Sequence, residues 1–419
     1  MGGFNRRIFL GSAAGLLAAG RPARASANER VGVAVIGDRG RGRDLARLFA
    51  ANRDAAVLAV CDVDDAMFER AVQAVEGVGG SSPQIEKDFR RLLDDPAIDA
   101  IAIATPDHWH ALMTVMACQA GKDVYVEKPV SHNVVEGRRM VEAARRYQRI
   151  VQTGTQRRSS QAIREGVERV RSGGIGKVGM ARAWIHQKRV NIGRGQPAPV
   201  PPGIDYAMWQ GPAPERPFYP NRFHYNWHWF WHWGTGELGN NGIHAVDVAR
   251  WGLGVDAPLA VSSGGGKYIF DDDQEAPDTQ LVTWEFPECC LVWEHRMWSP
   301  HPTEGSNFGI AFYGDRGTLI IDGESWRIED GDGERGERGG DSQAQHIQDF
   351  LDRVRDRAAP QAEIEIGHLS TRLCHLGNIA FRLGRKLTFD AAREAFTDEE
   401  ANALLTREYS KRFEFPSQV

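Results

Sequence analysis

Cysteine is scarce in this chain of 419 residues. The five present, Cys61, Cys118, Cys289, Cys290 and Cys374, form an odd set without metal-ligand spacing. No disulfide framework can be read from them, and buried free thiols are expected. Basic charge is not in excess either: a formal net charge of −5 gives no general attraction to nucleic acid, so no such partner is expected. After the N-terminus no apolar run reaches the about 20 residues that a membrane helix needs. There is no HExxH pattern among His224, His228, His232, His244 and Glu237, and no metal is expected. Nor is there an internal repeat. What remains is an ordinary balance, 42% apolar and 26% charged residues, over a length that exceeds one hydrophobic core. Two domains are therefore expected.

The first residues depart from that balance. Asn5-Arg6-Arg7-Ile8-Phe9-Leu10 precedes a small, apolar run from Gly11 to Gly20, then Arg21-Pro22-Ala23-Arg24-Ala25-Ser26-Ala27. The order of charged, apolar and small residues predicts a removable export signal over 1–27, with Ala23-x-Ala25 or Ala25-x-Ala27 as the cleavage site. Paired arginines before Phe-Leu resemble the twin-arginine type. That resemblance implies a periplasmic or secreted protein, exported folded and with its cofactor loaded, and no membrane attachment after cleavage.

Val31 to Ile36 reads VGVAVI, the unbroken apolar run of a strand buried on both faces of a parallel sheet. Gly37-Asp38-Arg39-Gly40-Arg41-Gly42 follows at once, and Leu45, Leu48 and Phe49 then recur at helical spacing. Backbone N–H groups at a helix N-terminus bind a pyrophosphate only where no Cβ blocks the approach. Gly37 and Gly42 take the first and third fingerprint positions, while Arg39, with Gly40 beside it, stands at the second. Arg39 and Arg41 can contact a phosphate or lie solvated in the turn. A second strand over 56–62 ends at Asp62, whose carboxylate can accept from both ribose hydroxyls and would repel a 2′-phosphate; NAD is expected rather than NADP. Later segments repeat the rhythm, with a helix over 89–93, a strand over 100–104, a helix over 111–120 and a strand over 123–126. The first domain is accordingly read as a parallel α/β unit over 28–150. Thr105-Pro106-Asp107-His108-Trp109-His110 and Glu127-Lys128-Pro129 fall at strand carboxyl ends and should line one crevice.

The glycine turn, Asp62, Thr105-Pro106 with His110, Gly121-Lys122 and Glu127-Lys128-Pro129 recur in this order in one family. The chain resembles the glucose-fructose oxidoreductase, inositol dehydrogenase and MocA family from about residue 30 to 415. The resemblance implies a Rossmann domain followed, over 151–419, by an α/β domain with a large open, mainly antiparallel sheet. That sheet forms the substrate pocket and often an oligomer interface, so a homo-oligomer, dimer or tetramer, is expected. Thr105, Pro106, His110, Glu127 and Lys128 would border the cofactor. Lys128 matches the family lysine beside the reacting hydroxyl and the nicotinamide ribose. A desolvated ammonium near a cationic ring has a lowered pKa and can exchange protons near neutrality. His244 matches the family's active-site histidine, but Asn240 stands where many members carry an acid. Asparagine orients a hydroxyl and takes no proton, which shifts acid-base work to His244, with Lys128 and His110 in support.

In the second domain a strand over 151–156 and a helix over 160–172 are expected, with Gln156 and Arg157 facing the pocket. Residues 223–233, FHYNWHWFWHW, alternate Trp227, Trp229, Trp231 and Trp233 with other rings. If extended, the four indoles share one strand face and form either a carbohydrate subsite or a core. Trp231 and Asn241 are taken as substrate contacts. Paired strands are expected over 280–286 and 290–295, and a hairpin over 310–319 with Asp315-Arg316-Gly317 at its turn. Helices over 343–355 and 369–383 follow a polar surface loop over 330–341.

The first function expected is oxidation of a secondary alcohol of a sugar, polyol or glycoside, with NAD retained and recycled because free NAD is scarce outside the cytoplasm. The second is an NAD-dependent glycosidase working by transient oxidation and elimination. The third is a non-catalytic cofactor-binding or sugar-sensing protein.

Overall fold

The computed structural model describes residues 30–329, 333–336, 339–416 and 419. The export signal expected over 1–27 lies outside the described residues, as do parts of the loop over 330–341. Six parallel strands form the first sheet: β1 (Val31–Ile36), β2 (Ala55–Cys61), β3 (Gln84–Glu86), β4 (Ala100–Ile103), β5 (Asp123–Val126) and β6 (Val151–Thr153), in the order β3-β2-β1-β4-β5-β6. Every residue of β1, β4 and β5 is buried, which is why their sequences run apolar without alternation. The crossovers are α1 (Gly40–Ala51), α2 (Asp65–Glu76), α3 (Phe89–Asp94), α4 (Asp107–Gln119) and α5 (Val134–Arg146). The chain order reverses between β1 and β4, so the crevice at their carboxyl ends is the place where such sheets bind ligands.

After α6 (Gln161–Arg171) the second sheet begins with β7 (Val178–His186). A short helix α7 (Tyr206–Gln210) and then α8 (Ile243–Leu253) follow. The sheet continues with β8 (Ala260–Gly266), β9 (Thr279–Glu285), β10 (Cys290–Arg296), β11 (Phe308–Gly314), β12 (Gly317–Asp322), β13 (Ser325–Glu329) and β14 (Arg335–Gly336). Then come α9 (Ser342–Asp356), α10 (Ile364–Leu383), β15 (Leu387–Asp390), β16 (Ala395–Phe396) and α11 (Glu399–Ala403). The order is β14-β13-β12-β11-β7-β10-β9-β8-β15-β16, and all ladders are antiparallel except β7 with β10. Side chains of β9 and β10 alternate: Val282, Trp284, Leu291 and Trp293 are buried in one core with α8 and α10. Leu281, Thr283 and Glu294 turn to the other, uncovered face. Among the described residues no helix is long and apolar enough to cross a membrane.

Three elements differ from expectation. The strand expected over 151–156 in the second domain is β6, Val151–Thr153, at the edge of the first sheet, and Gln156–Ser159 is a 3-10 turn. Residues 223–233 are not a strand: His224 has φ 65°, and Asn226–Trp229 forms a 3-10 helix. Trp227, Trp229 and Trp233 instead close a separate core with Trp209, Phe230 and Met297, so the four indoles do not share a strand face. Aromatic burial on several sides outweighs the alternation of the sequence. In addition, α9 leaves the second sheet and packs on the first, where Phe350 lies edge-on to Phe49 and Tyr125.

Candidate functional site

A deep cavity opens at the carboxyl ends of β1, β2, β4 and β5 and runs beneath the 224–228 segment to the start of α8. At one end lies the glycine turn. Gly37 adopts φ 90°, and a Cβ on Gly42 would stand 1.6 Å from the Gly37 carbonyl oxygen, so both positions require glycine. A Cβ on Gly40 would meet nothing within 4 Å, and α1 begins there with no acid in its first turn and no side-chain cap. The amides of Gly42 and Arg43 donate to the Arg39 carbonyl, while those of Gly40 and Arg41 are left for a ligand, as a pyrophosphate cradle needs. Asp62 closes this end: its carboxylate accepts from the amides of Asp38 (2.7 Å) and Asp64 (3.0 Å), and burial raises its pKa to about 6. Asp38 is buried beside it with both side-chain oxygens unpartnered, and burial together with Asp62 pushes its carboxyl well up. The Asp62 carboxylate would repel a 2′-phosphate.

At the other end stands Lys128, followed by a cis bond to Pro129. Its ammonium donates to the Asn240 carbonyl oxygen at 2.7 Å and lies 3.4 Å from Asn240 Oδ1. Burial lowers its pKa against the opposing pull of Glu127, Asp107 and Glu237. Asn240 belongs to a π-turn, Leu238–Gly242, that enters α8; this wider turn brings its carbonyl to the lysine. Four residues later His244 lines the same cavity, its Nδ1 buried without a partner, and its pKa is pushed well down by burial and then by Lys128. The helix that carries it is fixed by a buried ion pair: Arg158 donates through two nitrogens to Asp247, each at 2.8 Å, and Ser370 donates to the same carboxylate.

Most residues singled out in the sequence meet here. Gly37, Arg39, Gly40, Arg41, Asp62, Thr105, Pro106, His110, Glu127, Lys128, Gln156, Asn240 and His244 all line the cavity, and Gly42 supports the turn from behind. Their roles differ from one another. Arg41 donates to Glu127 at 2.7 Å, so its charge is spent tying the glycine turn to β5. The two nitrogens of His110 face the carbonyls of Pro129 (2.7 Å) and Thr105 (2.8 Å), which leaves neither for a relay. Gln156 has a buried, unpartnered Oε1.

Three expected substrate contacts are not brought to the cavity. Arg157 bonds the Gly323 carbonyl and stacks 4.4 Å over the Phe308 ring. Asn241 donates to Glu237 at 2.6 Å. Trp231 is held through its backbone by Glu275 and His132, with Arg382 over its indole. Each is already satisfied by neighbouring protein.

Asp107, part of the segment expected to line the crevice but given no role of its own, looks in sequence like an ordinary acid in a helix's first turn. Its buried carboxylate accepts from Thr235 Oγ1 at 2.7 Å, lies in the field of Lys128, and is raised by burial to about 7. His224, Tyr225 and His228 were hidden in the aromatic run; all three line the cavity. Arg39 donates to the His224 carbonyl at 3.2 Å, and His224 Nε2 lies 2.7 Å from Asp64 Oδ2, so this segment is strapped across the dinucleotide end. Among the described residues no group of three His, Cys, Asp or Glu side chains is placed to hold a metal.

Two family profiles match the chain. One, described as an oxidoreductase family with an NAD-binding Rossmann fold, covers residues 31–155; the other, the C-terminal alpha/beta domain of an oxidoreductase family, covers 177–284 and 338–415. A myo-inositol 2-dehydrogenase of Thermotoga maritima is 25% identical over 334 residues, spanning 76% of this chain and 87% of the relative. A glycosyl hydrolase family 109 protein of Saccharopolyspora erythraea is 36% identical over 127 residues, but the match spans 29% of this chain and 28% of that one. A dehydrogenase from Bordetella pertussis, solved with NADH and UDP-GlcNAcA, shares the fold with a TM-score of 0.66 at 18% identity, covering 86% of this chain and 99% of that one.

Proposed function

Since the chain belongs to the Gfo/Idh/MocA family of oxidoreductases, we propose that it oxidises a secondary hydroxyl of a sugar, polyol or glycoside at the Lys128 end of its cavity and keeps its NAD between turnovers. The residues fit that cofactor. Gly37, Gly40 and Gly42 leave the Gly40 and Arg41 amides of α1 open to a pyrophosphate, and the Asp62 carboxylate faces the place of the adenosine ribose. When bound, NAD supplies the hydride acceptor. Lys128 carries the reading: a buried amine, aimed by Asn240 and with its pKa lowered by burial, shares one cavity with the ribose acid. It takes the hydroxyl proton, with the neutral His244 beside it as the next acceptor. Asn240, in this reading, positions the lysine rather than replacing the missing acid.

Retention of the cofactor is supported by the strap. Arg39, His224 and Asp64 join the second domain's aromatic segment to the glycine turn and to the start of α2, over the groove a dinucleotide would occupy. Such a cofactor suits the periplasmic or secreted location that residues 1–27 argue for. The uncovered face of the second sheet, with Leu281 half exposed, is the surface we assign to assembly as a dimer or tetramer.

The test begins with native mass spectrometry of the purified protein, which should retain NAD after desalting. Free hexoses, myo-inositol and methyl glycosides are then offered and reduction of the bound cofactor is followed by absorbance. Lys128→Met should lower that rate about 100- to 10,000-fold while bound NAD is kept. A variant with the full wild-type rate overturns the assignment.

A further inference from the structure

Lys128 stands among three carboxylates whose fields reach it, and two of them are already balanced by other cations. Glu127 holds Arg41 at 2.7 Å, and Glu237 holds Arg189 at 3.2 Å. Asp107 is the third. It belongs to the first turn of α4, lines the same cavity as Lys128, and is 2% exposed. Among the described residues its carboxylate has no cationic partner; it accepts a hydrogen bond from Thr235 Oγ1, an uncharged group. Lys128 is in the matching position, because its ammonium meets two uncharged oxygens, the carbonyl and the Oδ1 of Asn240. One cation and one anion of the cavity are thus left without a contact ion, and each feels the other's charge.

We propose that Asp107 is the counter-anion of Lys128, a positioning residue that sets how strongly the lysine holds a proton and supplies the charge that Asn240 cannot. Its part in turnover rests on the oxidoreductase reading above; the pairing of charges does not. When the O–H bond of the substrate breaks, its proton joins the Lys128 lone pair and the cavity gains one positive charge. An ionised Asp107 balances that charge across the cavity, whereas Glu127 and Glu237 are committed to arginines. The histidines of the site do not compete for the role. Burial holds His108 and His228 down to about 3, pushes His244 well below its ordinary value and lowers His110, so all four are neutral near neutrality. Of the remaining charges, Arg41 opposes the ammonium, and Glu136 on α5 opposes ionisation of Asp107.

The lysine can be titrated directly. Holoenzyme is labelled with trace acetic anhydride over a pH series, and acetylation of Lys128 is followed by peptide mass spectrometry; the midpoint reports loss of the ammonium proton. Asp107→Asn, which keeps the shape and an acceptor for Thr235, should move that midpoint down by about 1–3 pH units. Asp107→Ser should match it, and melting temperature shows which of the two variants is folded. Adding Asn240→Asp to Asp107→Asn puts a carboxylate where Oδ1 lies 3.4 Å from the amine, and should return the midpoint to the wild-type value or above. With a compound that reduces the bound cofactor, the acid limb of the rate against pH should move in the same way; a purely structural loss lowers the rate at every pH and leaves the limb in place. An unchanged or raised midpoint in the folded single variant, or a double variant that stays with Asp107→Asn, would overturn the pairing. Midpoints that move as expected in a protein that reduces its cofactor with no compound count instead against the oxidoreductase reading and leave the pairing standing.

Discussion

Asp107 holds a proton that the unfolded chain would give up. Burial raises its pKa from 3.8 to about 7, with Thr235 and Lys128 pulling the other way. Between those values the native state binds more protons than the unfolded state, so this residue's contribution to stability falls as pH rises. Asp62, raised to about 6, acts with the same sign. Asp107→Asn should therefore flatten the decline of melting temperature between about pH 4 and pH 7, measured on protein stripped of NAD. An unchanged slope would place the proton elsewhere. The residue was hard to find in the sequence because an acid after Thr-Pro at a helix start is fully explained by the helix dipole. Lys128 was legible, since a lysine closing a buried strand has few structural reasons to be there.

The strap over the dinucleotide groove is held by few contacts, and each can be removed without replacing a glycine of the turn. Combined Arg39→Ala and His224→Ala should convert retained NAD into exchangeable NAD, seen as loss of the cofactor on desalting and recovery of activity when NAD is added back. Retention equal to wild type would mean that the groove holds the dinucleotide without this segment. At α8 the expected change is in stability. Asp247→Asn leaves the Arg158 guanidinium buried without its counter-charge and should cost about 3–5 kcal/mol, read by chemical denaturation. These elements also show where sequence patterns stop being informative. VGVAVI could be recognised as β1 because burial on both faces leaves only apolar residues. The run 223–233 misled because alternation of rings looks like a strand's period, whereas Trp227, Trp229 and Trp233 converge on a local core that no period encodes. Likewise Arg157 and Asn241 looked free to meet a substrate; their partners, Gly323 and Glu237, become neighbours only in the folded chain.

For the molecule as a whole, the location outside the cytoplasm that we propose rests on the sequence of residues 1–27. Replacing Arg6 and Arg7 by lysine should hold the protein in the cytoplasm, with cell fractionation as the readout; unchanged export would remove the twin-arginine reading. The parallel sheet of the first half was legible from the strand rhythm, but the sequence did not reveal that α9 crosses back to it. Its amphipathic pattern specifies a buried face and says nothing about which sheet receives it. Ile347, Phe350, Leu351 and Val354 complete the packing around Phe49 and Tyr125, while Arg355 and Gln348 grip Asp54 at the start of β2. During synthesis, then, the nucleotide-binding half emerges first but waits for a helix encoded near residue 350 before its apolar side is covered. A fragment ending at the last strand of the first sheet would leave the ribosome with that apolar side bare.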